Sequence, residues 1–213
     1  ERQRQVILAK ERGQEHIGAI QERELKKIKE VCTKHNLKYH LDGARLWNAM
    51  IAKKQQPKQF GELFDTISVC FSKGLGCPIG SVLLSDAETI NRALRIRKIF
   101  GGNMRQSGYL AAAGIYALQN NINRLEEDHK RAKELGKVLE QLPWIEKVAP
   151  VETNILIFEV KKTLEEKMVI EKFKDKGILI SSMGQGKLRI VTHLDYRQVI
   201  HEYVLEALDK LSF

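Results

Sequence analysis

The sequence predicts an α/β fold, and three observations carry that prediction. Short apolar runs, such as TISVCF (66–71) and ILIFEV (155–160), alternate with longer segments of helical periodicity. Polar residues and glycines follow the apolar runs, where side chains of an α/β sheet reach the crevice beyond the strand ends. The composition shifts near Pro143. We therefore expect two domains, residues 1–142 and a small C-terminal α/β domain over residues 143–213.

The composition excludes several classes of protein. Of the 213 residues 43% are apolar, which is enough for a packed core. The net charge is +9, but the lysines alternate with acids, as in residues 22–30 and 126–137, which is typical of solvated helix faces and not of a nucleic-acid surface. No apolar run approaches the ~18 residues of a membrane span, and residues 1–16 lack the apolar stretch of a signal peptide. We expect a cytoplasmic protein that binds neither nucleic acid nor membrane.

The three cysteines and six histidines show no metal-ligand spacing, so no metal site is expected. The thiols are interpreted as reduced. Cys32 falls on a helix face and Cys70 inside an apolar strand, so both are expected in the core. Cys77 lies beside Lys73 in a glycine-rich loop, where partial exposure stays open and packing is favoured over a chemical role.

The first domain is predicted to hold four strands and five helices. The strands are expected over 5–9, 37–42, 66–71 and 79–84, the last antiparallel to the one before it. The helices are expected from Glu22 to Asn36, over about 46–53, from Ser85 to Gly101, over 107–118 and over about 121–141. Ser85 and Glu88 have capping-box spacing, and the small residues of 107–118 predict close packing on the sheet. Residues 10–20 and 55–62 are predicted as irregular segments.

The second domain is predicted to continue the alternation. Strands are expected over 155–160, 178–182 and 187–193, and helices from Thr163 to about 175 and over about 195–211. Along the third strand, alternation sets Arg189 on the face opposite Leu188 and Ile190.

Lys73 is the residue around which the candidate site is built. It directly follows the apolar run 66–71, and burying a lysine there is costly unless its charge is used. Asp42 ends the strand 37–42, and Lys98 and Arg105 flank a pair of glycines that either offers N–H groups to an anion or simply ends a helix. A lysine that can form a Schiff base, an acid for a ring nitrogen and cations for a phosphate are what pyridoxal phosphate (PLP) needs. The residues alone leave two alternatives open: Lys73 as an ordinary exposed loop lysine and Asp42 as a surface acid at a strand end.

Three motifs occur in one order and spacing: HLDGAR (40–45), SKGLG-x-P-x-GS (72–81) and GG-x-MRQ-x-G (101–108). Together they resemble the threonine aldolases of the β-eliminating lyase group, which are PLP-dependent enzymes of the aspartate aminotransferase fold, fold type I. The similarity runs from about Glu24 to the C-terminus. It implies that residues 1–142 are the later part of the PLP-binding large domain and that the family's N-terminal part is lacking.

The resemblance also implies a role for each candidate residue. Lys73 would carry the cofactor and Asp42 would pair with its ring nitrogen. Ser72, Lys98 and Arg105 would contact its phosphate, Arg105 from a neighbouring subunit. Arg45 would lie near the cofactor hydroxyl and the substrate carboxylate. Arg189 would bind the substrate α-carboxylate as a planar fork.

The activity implied is that of a PLP-dependent aldehyde-lyase, which cleaves threonine or allo-threonine to glycine and acetaldehyde in a homo-oligomer, dimer or tetramer, with shared sites. The alternatives are an inactive relative and a PLP enzyme with another reaction, such as β-elimination or transamination. The sequence departs from the family at Asn103, where glycine is common. The family's phosphate-cradling loop has no match, and we do not interpret His16 as its ring-stacking histidine.

Overall fold

Contacts divide the chain into two compact units. The computed structural model describes residues 22–213 and the backbone of residues 5–8. The first unit contains residues 5–8 and 22–123, and the second contains residues 124–213. His16 and the irregular segment predicted around it lie outside the described residues.

The first unit is built on a four-stranded sheet of order β1-β2-β3-β4. Its strands and helices follow the chain as β1 (Gln5–Leu8), α1 (Glu22–Lys34), β2 (Lys38–Gly43), α2 (Leu46–Lys53), α3 (Pro57–Leu63), β3 (Thr66–Cys70), β4 (Ser81–Leu84), α4 (Ala87–Ile99) and α5 (Gly108–Asn120). The strands β1, β2 and β3 are parallel, and β4 is antiparallel to β3, as predicted.

The two faces of this sheet differ in polarity because side chains alternate along each strand. Tyr39, Leu41, Ile67 and Val69 are buried in one core with residues of α1, α2 and α3. The opposite face of β2 and β3 carries side chains that are half-buried or exposed, namely His40, Asp42, Thr66, Ser68 and Cys70. The polar face therefore runs along the two strands that lead to the candidate site.

The helix α5 does not pack as predicted. Within the described residues only its Gly114 and Ala117 are buried. Its recorded contacts reach the loop after β3: the thiol of Cys77 lies 3.5 Å from the carbonyl oxygen of Ala113, and the Asn121 amide donates to the Leu75 carbonyl at 2.7 Å. The helix thus supports the loop that carries Lys73.

The second unit is a helix-covered antiparallel sheet of order β5-β6-β8-β7. Its elements are α6 (Leu125–Gln141), β5 (Ile145–Val148), β6 (Ile155–Val160), α7 (Glu166–Asp175), β7 (Ser181–Gly184), β8 (Lys187–Val191) and α8 (Gln198–Asp209). The core gathers Leu135 and Leu139 of α6, Phe158 of β6, Phe173 of α7 and Leu208 of α8, all fully buried.

Contacts place α6 in the second unit, whereas the predicted domain boundary at 142/143 left it in the first. The reason is that α6 packs on β5, β6 and α8 through its buried face. The boundary between functional domains stays a prediction.

Several local predictions were wrong, each for a physical reason. Residues 55–62 were predicted as a loop, yet Pro57 starts α3, with Gln56 and Gln59 forming its capping box. Ser85 does not cap α4; its hydroxyl donates to the Asp65 carbonyl at 2.7 Å, and Asp86 accepts from the Thr89 N–H instead.

Two apolar residues are more exposed than the helical period indicates. Val31 of α1 is 55% exposed although it directly precedes the buried Cys32. Val199 of α8 is 77% exposed and lies between two other exposed residues, Gln198 and Ile200. Both valines lie outside the buried stripe of their helices.

Candidate active site

The candidate residues of the first unit gather at one edge of its sheet. Parallel strands β2 and β3 are neighbours, with Asp42 in register with Ser68. Asp42 is the next-to-last residue of β2, and Ser72 and Lys73 follow the end of β3. The carboxyl ends of parallel neighbours meet at the same sheet edge, so Asp42, Arg45, Ser72 and Lys73 share that edge.

Lys73 is exposed, and its side chain folds back toward β3. The Nζ atom donates a hydrogen bond to Cys70 Sγ at 3.1 Å. Cys70 lies on the same polar sheet face as Ser68 and Asp42, because residues two apart point to one side of a strand. Within residues 22–213 no carboxylate forms an ion pair with Lys73. The amine is therefore directed to the face that carries Asp42.

The loop that presents Lys73 is closed by its own backbone. Phe71 N–H donates to the Gly80 carbonyl at 3.0 Å, Cys77 N–H to the Phe71 carbonyl at 3.1 Å, and Gly76 N–H to the Lys73 carbonyl at 2.9 Å. The side chain of Leu75, in the middle of this loop, is 1% exposed, so its burial anchors the loop. These contacts hold the backbone of Lys73, whose exposed side chain contacts Cys70.

Asp42 is exposed and accepts a hydrogen bond from the Ala44 N–H at 3.2 Å. No cation among the described residues forms an ion pair with it. The next residue, Gly43, has a steric reason to be glycine, since a Cβ atom there would lie 2.6 Å from the Ser68 carbonyl oxygen. This close approach sets the spacing of β2 and β3 at the point where Asp42 leaves the sheet.

Arg45 immediately precedes α2 and is half-buried. Its carbonyl oxygen accepts the Ala49 N–H at 3.2 Å, so its backbone forms part of the first helical turn. The position fixes Arg45 two residues beyond the end of β2, at the edge that also bears Asp42.

Lys98 and Arg105 do not follow β2 or β3 but belong to the segment around α4 and α5, and both are exposed. Lys98 is in the last turn of α4, and Arg105 is in the turn before α5. In the described part of the chain no recorded contact joins either side chain to Lys73 or Asp42.

The glycine pair between these cations closes α4. The Gly101 N–H donates to the Lys98 carbonyl at 3.1 Å and the Gly102 N–H to the Arg97 carbonyl at 2.8 Å. These two bonds are the pattern that ends a helix with a left-handed glycine, and Gly101 has φ of 74°. Of the two alternatives for this pair, the structure therefore favours the helix end over the anion cradle.

Arg189 lies on β8 of the second unit, on the face opposite the core, as alternation predicted. Its Nη2 donates to Ser181 Oγ at 3.4 Å, while its Nε is buried and has no hydrogen-bond partner. A buried donor without a partner costs about 1–3 kcal/mol. The guanidinium therefore retains an unused donor for an oxygen ligand.

A buried polar network holds the strands next to Arg189. The Thr192 hydroxyl donates to the Asp128 carbonyl at 2.7 Å, and the Asn154 amide donates to the Thr192 carbonyl at 2.7 Å. Asn154 is 2% exposed, and its Oδ1 has no hydrogen-bond partner. Asn154 directly precedes β6, and nothing in the sequence indicates that its amide is buried.

One of the three cysteine expectations was wrong. Cys32 is buried as expected, and Cys77 is packed, with 8% of its surface exposed. Cys70, which was expected in the core, is half-buried. Cys70 points to the polar sheet face, and Cys77 is covered by α5. Burial raises the pKa of the Cys77 thiol. The contact of Cys70 with Lys73 had no signal in the sequence beyond their spacing of three residues.

Among the described residues no group of three or more His, Cys, Asp or Glu side chains could hold a metal ion. No helix among them combines the length and apolarity that a membrane crossing needs.

The amino-acid sequence is similar to known proteins along most of its length. The model of the beta-eliminating lyase family matches residues 15–163. The chain is 41% identical over 181 residues to the low specificity L-threonine aldolase of Escherichia coli, a match covering 84% of this chain and 53% of that protein. It is 39% identical over 170 residues to low-specificity L-threonine aldolase 1 of Arabidopsis thaliana, covering 78% and 48%. The chain spans about half the length of these curated relatives.

Solved structures share the fold. The threonine aldolase of Leishmania major superposes with a TM-score of 0.73 at 22% identity, over 92% of this chain and 58% of that one. An ornithine aminotransferase of Toxoplasma gondii, whose active site was partly occupied by PLP, superposes with a TM-score of 0.62 at 17% identity, over 87% and 45%. These likenesses confirm the predicted fold, that of the PLP-dependent enzymes of fold type I.

Proposed function

The chain belongs to the beta-eliminating lyase family. On that premise we propose that it functions as a PLP-dependent aldehyde-lyase that cleaves threonine or allo-threonine. In this reaction the Cα–Cβ bond of the β-hydroxy amino acid breaks. The β-hydroxyl loses its proton, acetaldehyde leaves, and Cα takes up a proton to give glycine.

The observation that carries the proposal is the direction of the Lys73 side chain. Its Nζ lies 3.1 Å from Cys70 Sγ, on the sheet face and at the sheet edge that also carry Asp42. An amine without a carboxylate partner and a carboxylate without a cation partner, on one face, fit a cofactor with an aldehyde and a ring nitrogen. The unpartnered Nε of Arg189 fits a carboxylate ligand in the same way.

Each residue has a defined role in the proposal. Lys73 would hold the cofactor through its amine, and Asp42 would lie at the ring nitrogen and favour its protonated form. Bound PLP supplies an electron sink for the pair released at Cα. Ser72 and Lys98 bind the phosphate.

The carboxylate of the substrate is assigned to two arginines. Arg189 binds it as a fork, and Arg45 neutralises it near the cofactor hydroxyl. These contacts orient the bond that breaks and do not themselves move a proton.

We further propose that the site is shared in a homo-oligomer, dimer or tetramer, with Arg105 reaching the phosphate of a neighbouring subunit. The exposed position of Arg105 before α5 supports this role, since it leaves the guanidinium available. A cytoplasmic location stays a prediction and rests on the sequence alone.

Covalent fixation tests the assignment of Lys73. Protein incubated with PLP and reduced with borohydride should carry the cofactor on the peptide that contains Lys73. Lys73→Ala should lose this label, while Lys58→Ala, which removes a lysine 87% exposed on α3, should keep it. Labelling that is equal in wild type and Lys73→Ala would disprove the role.

The products of threonine decide between the reactions. Glycine and acetaldehyde in equal amounts support the aldehyde-lyase, whereas ammonia with a keto acid indicates β-elimination. A labelled but inactive protein would favour the inactive relative. Arg189→Ala should raise the Michaelis constant for threonine and leave PLP fixation at Lys73 unchanged.

A further inference from the structure

Cys70 differs from the other two cysteines in exposure and in its neighbour. It is half-buried, and its Sγ accepts the hydrogen bond of Lys73 Nζ at 3.1 Å. Cys32 and Cys77 are 1% and 8% exposed. Cys70 is therefore the thiol of the three that a solvent oxidant reaches most easily, and an amine touches it.

We propose that Cys70 and Lys73 form an oxidation-sensitive pair that a peroxide links through a sulfur–nitrogen bond. In the first step the Cys70 thiol takes one oxygen atom from hydrogen peroxide and becomes a sulfenic acid, and the reduced peroxide leaves as water. In the second step the unprotonated Nζ of Lys73 attacks that sulfur. The N–S bond forms, the S–O bond breaks, and the hydroxyl leaves with a proton from Nζ as water.

The linked pair has two hydrogen atoms fewer than the reduced pair. A dithiol such as dithiothreitol reverses the link, because its two thiols are oxidised to a disulfide while sulfur and nitrogen each regain a hydrogen. The oxidant and the reductant are thus a peroxide and a thiol.

The local structure favours the second step. Cys70 is held at the end of β3 by pairing with Ser81, and the backbone of Lys73 is held by the Gly76 N–H at 2.9 Å. The Lys73 side chain is exposed and its Nζ already lies 3.1 Å from Cys70 Sγ, so a small movement of this side chain closes the contact. A competing thiol would have to come from another molecule, since Cys32 and Cys77 are buried.

A comparison with Cys77 explains why the proposed oxidation occurs at Cys70. Both cysteines flank the same loop, but Cys77 is covered by α5 and burial raises the pKa of its thiol. A buried thiol with a raised pKa has little thiolate, which is the form that peroxides attack. Reaction is therefore directed to Cys70.

Mass spectrometry of the cofactor-free chain tests the link. After brief peroxide treatment the wild type should lose the mass of two hydrogen atoms, and trypsin should yield one internally linked peptide, residues 59–92, that is not cleaved after Lys73. Dithiothreitol should restore the original mass. Cys70→Ser should show no loss, whereas Cys77→Ser should behave as the wild type.

The proposal is overturned if peroxide leaves Cys70 as a sulfinic acid or an intermolecular disulfide with Lys73 unmodified, or if Cys77 reacts in its place. These outcomes are read on the wild type alone, so they do not depend on the folding of a variant.

The consequence for the cofactor rests on the proposed function and has its own readout. If Lys73 carries PLP, peroxide before PLP should abolish borohydride fixation in the wild type but not in Cys70→Ser. Absence of fixation in untreated wild type would disprove the role of Lys73 in cofactor binding, while the mass loss would still establish the redox pair.

Discussion

His129 lies on the buried face of α6, and 4% of its surface is exposed. Desolvation, helped by the charge of Lys133, lowers the pKa of the imidazole from 6.5 to about 4. Between these values the unfolded chain binds a proton that the folded chain does not. Stability is therefore complete above about pH 6.5 and falls as the pH drops toward 4.

His129→Gln should remove this dependence because glutamine does not titrate. From pH 7 to pH 4 the wild type should lose on the order of 3 kcal/mol more unfolding free energy than the variant. Urea unfolding followed by Trp144 fluorescence in a Trp47→Phe background reports the second unit, whose core contains Trp144. His35→Gln, which replaces an exposed histidine and leaves His129 in place, serves as control and should keep the pH dependence. Parallel pH profiles for wild type and His129→Gln would contradict the assignment.

For single residues, the position at a strand end was easier to predict from the sequence than the contacts and burial of the side chain. Asp42 and Lys73 were predictable because an apolar run shows where a strand ends. The contact between Lys73 and Cys70 was not, because it depends on how an exposed side chain turns. The buried Nε of Arg189 was equally hidden, since alternation gives the face of a residue and not its desolvation.

Among the elements, α4 depends most visibly on the residues that end it. Within the described residues none of its side chains is buried, so local interactions have to hold it. Asp86 caps its start by accepting from the Thr89 N–H at 2.8 Å, and the N–H groups of Gly101 and Gly102 close its end. A helix with these properties should fray when either end is altered.

Gly101→Ala should loosen the last turn of α4, because φ of 74° costs an alanine about 1 kcal/mol. Amide hydrogen exchange at Phe100 and Gly102 should accelerate about fivefold. Gly108→Ala is the matched control: Gly108 starts α5 with open space around its Cβ position and without a positive φ. Equal exchange in both variants would show that Gly101 does not hold the helix end.

Helices and strands with a strong apolar period were predictable, and short ones were not. The helix α3 was missed because its proline and glycine were interpreted as loop signals, although proline is favoured in a first helical turn. The capping-box spacing of Thr163 and Glu166 misplaced the start of α7. The helix begins at Glu166, and that side chain bonds to the hydroxyl of Ser182.

For the whole molecule, the two units differ in how much apolar surface they leave exposed. Every residue of β4 is exposed, and β4 is the last strand of its sheet within the described residues. Large apolar side chains at the end of α4 and on α5 are exposed as well, among them Phe100 at 84% and Tyr109 at 87%. An open strand edge together with exposed apolar side chains favours association.

We expect this 213-residue chain to associate with itself through the first unit in a concentration-dependent way. Replacing Ile99 and Phe100 by serine should shift sedimentation profiles toward the monomer. Replacing Leu179 and Val199, which are 81% and 77% exposed in the second unit, should not. Equal effects of the two double variants would argue against a specific surface on the first unit.

The closed loop around Lys73 has a consequence for the kinetics of binding. Its backbone bonds and the Asn121 amide order the loop when the first unit folds, so a ligand arriving later does not have to order it. The conformational entropy of the loop, roughly 1–2 kcal/mol per residue, is thus lost before the encounter. Association should then be governed by diffusion and by the charge of the incoming anion, with a rate that falls as ionic strength rises.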